Sequence, residues 1–99
     1  MFLIDVAYTV PIAEIEKLAP AHREFAGTQY RAGKYLMSGR KLPRTGGFIL
    51  AAVASREELD AIISRDPFQV AGVATYTVTE VQLVMARPDL EHLLGEGAA

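Results

Sequence analysis

The chain has 99 residues, no cysteine, and ten basic against twelve acidic side chains, for a formal net charge of −2. That length accommodates one domain, and the missing thiols exclude disulfides, thiolate nucleophiles and thiolate metal sites. Acids and bases are interspersed without a basic stripe, which speaks against nucleic acid as a partner, while Asp5 breaks the apolar start and no stretch approaches the ~20 apolar residues of a membrane span.

A cytoplasmic protein is therefore expected, and its elements can be taken in order. Residues 2–10 (FLIDVAYTV) alternate, with Phe2, Ile4, Val6 and Tyr8 on one face, and predict a first strand. Pro11 suits the first turn of a helix, and Thr9 is a candidate cap. A helix is predicted over residues 11–32, where Ile15, Leu18, Ala19, His22, Phe25 and Ala26 follow the spacing of a core-facing stripe. Pro20 should kink that helix or split off its first turns, and Gly33 is placed to end it. Residues 35–42 (YLMSGRKL) predict a second strand in which Gly39 marks a bulge or a close approach. Turn chemistry at Pro43-Arg44-Thr45-Gly46-Gly47 leads into residues 48–54 (FILAAVA), an apolar run suited to a strand buried on both faces. The bases Arg40, Lys41 and Arg44 read as solvated, with an anion site as the alternative.

Ser55 with Glu58 is a capping-box signature for a short helix ending near Arg65, with Leu59, Ile62 and Ile63 facing inward. Asp66-Pro67 then opens a turn or a single helical turn closed by Gly72, and residues 74–85 (ATYTVTEVQLVM) alternate as a long last strand. Residues 87–99 read as a loosely docked tail, leaving a domain over residues 1–86. The order β-α-β-β-α-β is the split βαβ pattern of ferredoxin-like α+β folds, a four-stranded antiparallel sheet with two helices on one face. The other face is then uncovered although the third strand is apolar throughout and Val81, Leu83 and Met85 continue the last one. An apolar face of that size marks an association surface, so a homodimer through the sheet is expected.

His22 stands in the middle of an apolar stripe, where a polar ring needs a reason. Either it is a core histidine bonded to a carbonyl or carboxylate, or it is a general base or acid, for which imidazole suits because its reference pKa of ~6.5 lies near neutrality. Asp66 is the natural partner, since the two helices of this fold pack side by side; alternatively it simply caps the turn at Pro67. No metal site is expected, because His22 has no ligand type three or four residues away and His92 falls in the tail. Gly46-Gly47 precedes a strand, unlike the glycines of a phosphate loop that open a helix.

Pro20-Ala21-His22-Arg23, Ser38-Gly39-Arg40, Pro43-Arg44-Thr45-Gly46-Gly47, and Asp66-Pro67-Phe68 followed by Ala71-Gly72, taken in order and spacing, resemble the YCII-related family over about residues 2–86. That resemblance implies a fold similar to muconolactone isomerase and other dimeric α+β barrels, and a His-Asp active-site pair carried here by His22 and Asp66. One branch of the family removes chloride from a chlorinated hydroxyquinol, which implies an eliminating or isomerising base acting without a cofactor on a small cyclic or phenolic molecule. Ser38, Gly39 and Arg40 are then candidates for substrate binding, Gly39 by permitting close approach and Arg40 by offering a fork to a carboxylate or phenolate. Phe68 either walls the pocket or fills the core. The other function open at this point is a non-catalytic dimeric module, binding a small ligand or serving as an accessory, in which the pair is a structural hydrogen bond.

Overall fold

The computed structural model describes residues 1–94. Strands β1 (Phe2–Tyr8), β2 (Tyr35–Arg40), β3 (Gly46–Ala51) and β4 (Ala74–Glu80) form one sheet in the order β2-β3-β1-β4. Every neighbouring pair is antiparallel, with registers that include Ile4↔Ile49, Ile4↔Val78 and Ser38↔Ile49. Helices α1 (Ile12–Arg31), α2 (Arg56–Ile63) and α3 (Pro67–Val70) complete the domain, and a 3-10 helix covers Pro88–Leu93. This is the expected ferredoxin-like α+β arrangement.

Period-two alternation decides the faces. Phe2, Ile4 and Val6 of β1 are buried with Ile49 and Ala51 of β3, against Ile15 and Ala19 of α1 and Leu59, Ile62 and Ile63 of α2. Ser55 accepts the Glu58 N–H and starts α2 as its sequence predicts, while Glu58 reaches back to the Ala54 N–H. Gly33, with φ of +74°, follows the last residues of α1 as a left-handed terminator.

Several expectations are corrected. Thr9 does not cap α1: the cap position is Pro11, without a side-chain bond. Thr9 instead ties its backbone to Val73 and its hydroxyl to Gly72, because β1 has to be anchored to the start of β4. Of the two outcomes expected at Pro20, splitting does not occur, since α1 runs unbroken from Ile12 to Arg31. Pro20 is exposed, so the carbonyl it leaves without a donor has water within reach. The irregularity in β2 lies between Tyr35 and Met37 and not at Gly39. At Gly39 the second half of the expectation applies, because an added Cβ would sit 2.5 Å from the Phe48 ring.

The third strand stops at Ala51 and, in the single chain, is buried on one face, leaving Phe48 39% exposed. The last strand ends at Glu80: β4 lies at the sheet edge with β1 beside it, and their ladder closes at Phe2↔Glu80. Val81, Leu83 and Met85 therefore lie beyond the sheet, and outward positions of β4 carry Thr75, Thr77 and Thr79. Part of the expected tail, residues 95–99, lies outside the described residues, and His92 is exposed in the 3-10 helix.

Candidate active site

On its helix side the sheet leaves a cleft of about 310 Å³ between α1 and the β2–β3 half. From α1, residues His22, Ala26 and Tyr30 recur every four positions and so share one face. Ala26 is small and leaves space between the two rings.

His22 Nδ1 lies 2.8 Å from Asp66 Oδ1. As a carboxylate Asp66 only accepts, so Nδ1–H is the donor and Nε2 is left as the basic nitrogen. The imidazole side chain keeps 22% of its exposure, whereas the carboxylate has none. The same Oδ1 accepts the Phe68 N–H at 3.0 Å and so caps α3. Capping and pairing with His22 are one feature, because the turn that needs the cap also delivers the carboxylate beneath α1. Phe68 resolves its two readings by fulfilling both. It is 3% exposed, and its ring stacks on the imidazole with centroids 4.1 Å apart and planes 7° from parallel.

Alternation along β2 turns Ser38 and Arg40 to the helix side and Gly39 to the other. Ser38 accepts a 2.5 Å bond from the Tyr30 hydroxyl. Arg40 lines the cleft and makes no ion pair among the described residues. Gly39 contributes backbone to the lining, and its bare side is taken by Phe48 on the opposite face. Of the other two bases, Lys41 pairs with Asp5 at 2.9 Å on the outward face. Arg44 leans into the cleft wall and pairs with Glu16 of α1 at 3.0 Å, leaving its buried Nε unpaired.

Sequence reasoning passed over three contributors, Tyr30, Tyr35 and Tyr76, and read Arg44 as a solvated base or part of an anion site, without its ion pair to Glu16. Tyr30 carries a readable signal, since it continues the His22–Ala26 spacing by one more step. Arg44 carries none, because its ion pair joins positions far apart in the chain. The Tyr35 phenol is pushed far above its ordinary range by burial first, then by the charge of Asp66 and by Tyr30, with Arg65 opposing. Burial pushes the Tyr76 phenol up further, aided by the Asp66 charge and by contact with that carboxylate, then by Tyr35 and Tyr8. That contact falls short of full hydrogen-bond geometry, so the Tyr76 hydroxyl counts as unpaired. Among the described residues no group of three or more His, Asp or Glu side chains is arranged to hold a metal ion. No helix among them is long and apolar enough to cross a membrane.

Comparison with known proteins agrees with this architecture. No curated protein sequence matches the chain. Among solved structures it is similar to 5-chloro-2-hydroxyhydroquinone dehydrochlorinase (TftG) from Burkholderia phenoliruptrix AC1100, in complex with 2,5-dihydroxybenzoquinone. The TM-score is 0.71 at 18% identity, covering 84% of this chain and 95% of that one, a likeness of fold. The YCII-related domain model matches residues 1–82, which contain the cleft and the His22–Asp66 pair, and the chain belongs to the YCII-related family.

Proposed function

We propose that the chain is a small acid–base enzyme in which His22 exchanges a proton with a small cyclic or phenolic molecule in the cleft, in an elimination or an isomerisation. The observation that carries this reading is the 2.8 Å bond from an imidazole on the cleft wall to a carboxylate with no exposed surface. Asp66 fixes the tautomer and steadies the imidazolium that forms when Nε2 takes a proton. Phe68, stacked on the ring, limits its rotation. Arg40 offers paired N–H donors to a phenolate or carboxylate oxygen, and Ser38, held by Tyr30, offers a hydroxyl. In an elimination the proton passes to Nε2, its electron pair moves into the ring system, and the leaving group departs as an anion. The likeness in fold to a dehydrochlorinase supports this class of chemistry.

The test compares the parent chain with a His22→Asn variant on hydroxylated aromatic rings, beginning with chloride release from 5-chloro-2-hydroxyhydroquinone. Asparagine keeps a donor but takes up no proton. Turnover is expected to drop by about 10² to 10⁴ while melting stays near that of the parent. A folded variant with full turnover ends the reading.

One observation favours a second reading. Asp66 bonds both His22 of α1 and the first N–H of α3, so the pair can act as a staple in a non-catalytic module that binds a small ligand or serves as an accessory. His22→Asn would then cost about 1 to 3 kcal/mol of stability, and ligand binding would fall only in step with unfolding. Either reading is proposed for a homodimer joined sheet to sheet. Leu3, Met37 and Phe48, at 41%, 41% and 39% exposure, lie on the face without helices and support it.

A further inference from the structure

The buried end of the pair is unfinished. Asp66 Oδ1 serves His22 and the Phe68 N–H, while Oδ2 has no partner among the described residues. Among the described residues four buried side-chain polar atoms are unpaired, and three of them are Asp66 Oδ2 and the hydroxyls of Tyr35 and Tyr76. These three lie within electrostatic reach: the Asp66 charge acts on both phenols, and Tyr35 acts on Tyr76. The two tyrosines come from β2 and β4, the opposite edges of the sheet, and both side chains pack on its helix-bearing face, the side on which Asp66 lies. Two O–H donors and one bare acceptor are complementary, and buried atoms of this kind are seldom left unmatched.

We propose that Tyr35 and Tyr76 are positioning residues for His22, their hydroxyls donating to Asp66 Oδ2 directly or through one shared water and so dividing the carboxylate's charge between the tyrosines and the imidazole. A carboxylate that accepts on Oδ2 is a weaker acceptor on Oδ1. The phenols bond most strongly to Asp66 when His22 is neutral, since the imidazolium already draws on the same charge. They therefore favour neutral imidazole over imidazolium and make it easier for His22 to give back a proton it has taken. Other groups face the pair as well. Arg65 at the end of α2 acts on Tyr35, Tyr8 of β1 borders Phe68 and Tyr76, and Tyr30, Arg23, Arg40 and Arg44 share the cleft with His22. All of these remain when either tyrosine becomes phenylalanine. The proposal rests on the acid–base reading only for its bearing on turnover, and its test needs no substrate.

Tyr35→Phe and Tyr76→Phe, singly and together, are compared with the parent by nuclear magnetic resonance of the His22 ring in the substrate-free protein. Thr77→Val is the control, because Thr77 stands opposite Asp5 on the outward face of the sheet, away from Asp66. Each of the first two is expected to move the pH profile of the His22 resonances to higher pH by about half a unit, a fraction of one hydrogen bond. The Nδ1–H resonance should move downfield, and the control should leave both measurements unchanged. Folded Tyr35→Phe and Tyr76→Phe proteins whose His22 resonances follow the parent overturn the proposal, as does a shift to lower pH or an equal shift in the control. If the double variant does not fold, the single variants decide. Should the shift appear while His22→Asn retains full turnover, the positioning role stands and the acid–base reading falls.

Discussion

Asp66 carries two duties on one oxygen, and substitution can separate them. Asparagine keeps an oxygen able to accept from both His22 and Phe68 while removing the charge, whereas alanine removes the cap and the partner together. Asp66→Ala is expected to lose about 1 to 3 kcal/mol by chemical denaturation. Asp66→Asn should lose less, yet reduce turnover where the charge matters for an imidazolium. Equal stability losses in the two variants would show that the charge, and not the cap, holds α3 in place. The glycines on β2 and β3 offer a second comparison. A Cβ at Gly39 meets only the Phe48 ring, which is part-exposed and able to swing outward, while one at Gly46 would lie 1.8 Å from the Val6 carbonyl oxygen in the neighbouring strand. Gly39→Ala should therefore cost about 1 kcal/mol, and Gly46→Ala distinctly more, at or above the usual 1 to 3 kcal/mol of overpacking, because a backbone has to move. A calorimetric ranking in the opposite order would refute this account of the two positions.

At the scale of elements, α2 shows how short-range signals and core packing combine. Ser55 supplies the first turn with an acceptor, and replacing it by alanine should cost about 1 kcal/mol. Leu59 on the inner face is fully buried, so Leu59→Ala should cost about 2 to 5 kcal/mol, the larger loss. Melting curves of the two variants test whether this helix is held mainly by its cap or by its packing. Both features of α2 are legible as sequence, since each lies within one turn of the chain. The same is true of the His22 stripe on α1. What local pattern did not supply is where β4 stops, because alternation continues to Met85 while pairing requires a neighbouring strand.

For the whole molecule, the tyrosines set an alkaline limit. An unfolded phenol releases its proton near pH 10, while Tyr35 and Tyr76 hold theirs more tightly when folded. The stability they confer is therefore fully present below about pH 10. It is lost as pH rises above that value, because the unfolded state then binds fewer protons than the native state, with a slope of about 1.4 kcal/mol per pH unit for each tyrosine. Ultraviolet titration should show these two ionising only as the fold is lost, and phenylalanine at both positions should flatten the alkaline limb. The proposed dimer is tested by sedimentation. The interface should bury about 1,200 Å² or more in total, and Phe48→Lys should yield a folded monomer. A parent chain that is monomeric at micromolar concentration would rule out association through this face.

The sequence by itself determined the order of elements, the inward stripe bearing His22, the caps at Ser55 and Asp66, and the family. All of these rest on spacings within a few residues or on motifs read in succession. The pairing of His22 with Asp66 was expected from the packing of helices in that fold, and the 2.8 Å separation agrees with it. Tertiary structure alone decided that Arg44 reaches Glu16, that Phe48 covers Gly39, and that the phenols of Tyr35 and Tyr76 come within reach of the Asp66 charge. Each of these brings together elements from distant parts of the chain. Their meeting depends on sheet order and on the lean of long side chains, and neither leaves a periodic trace in the sequence.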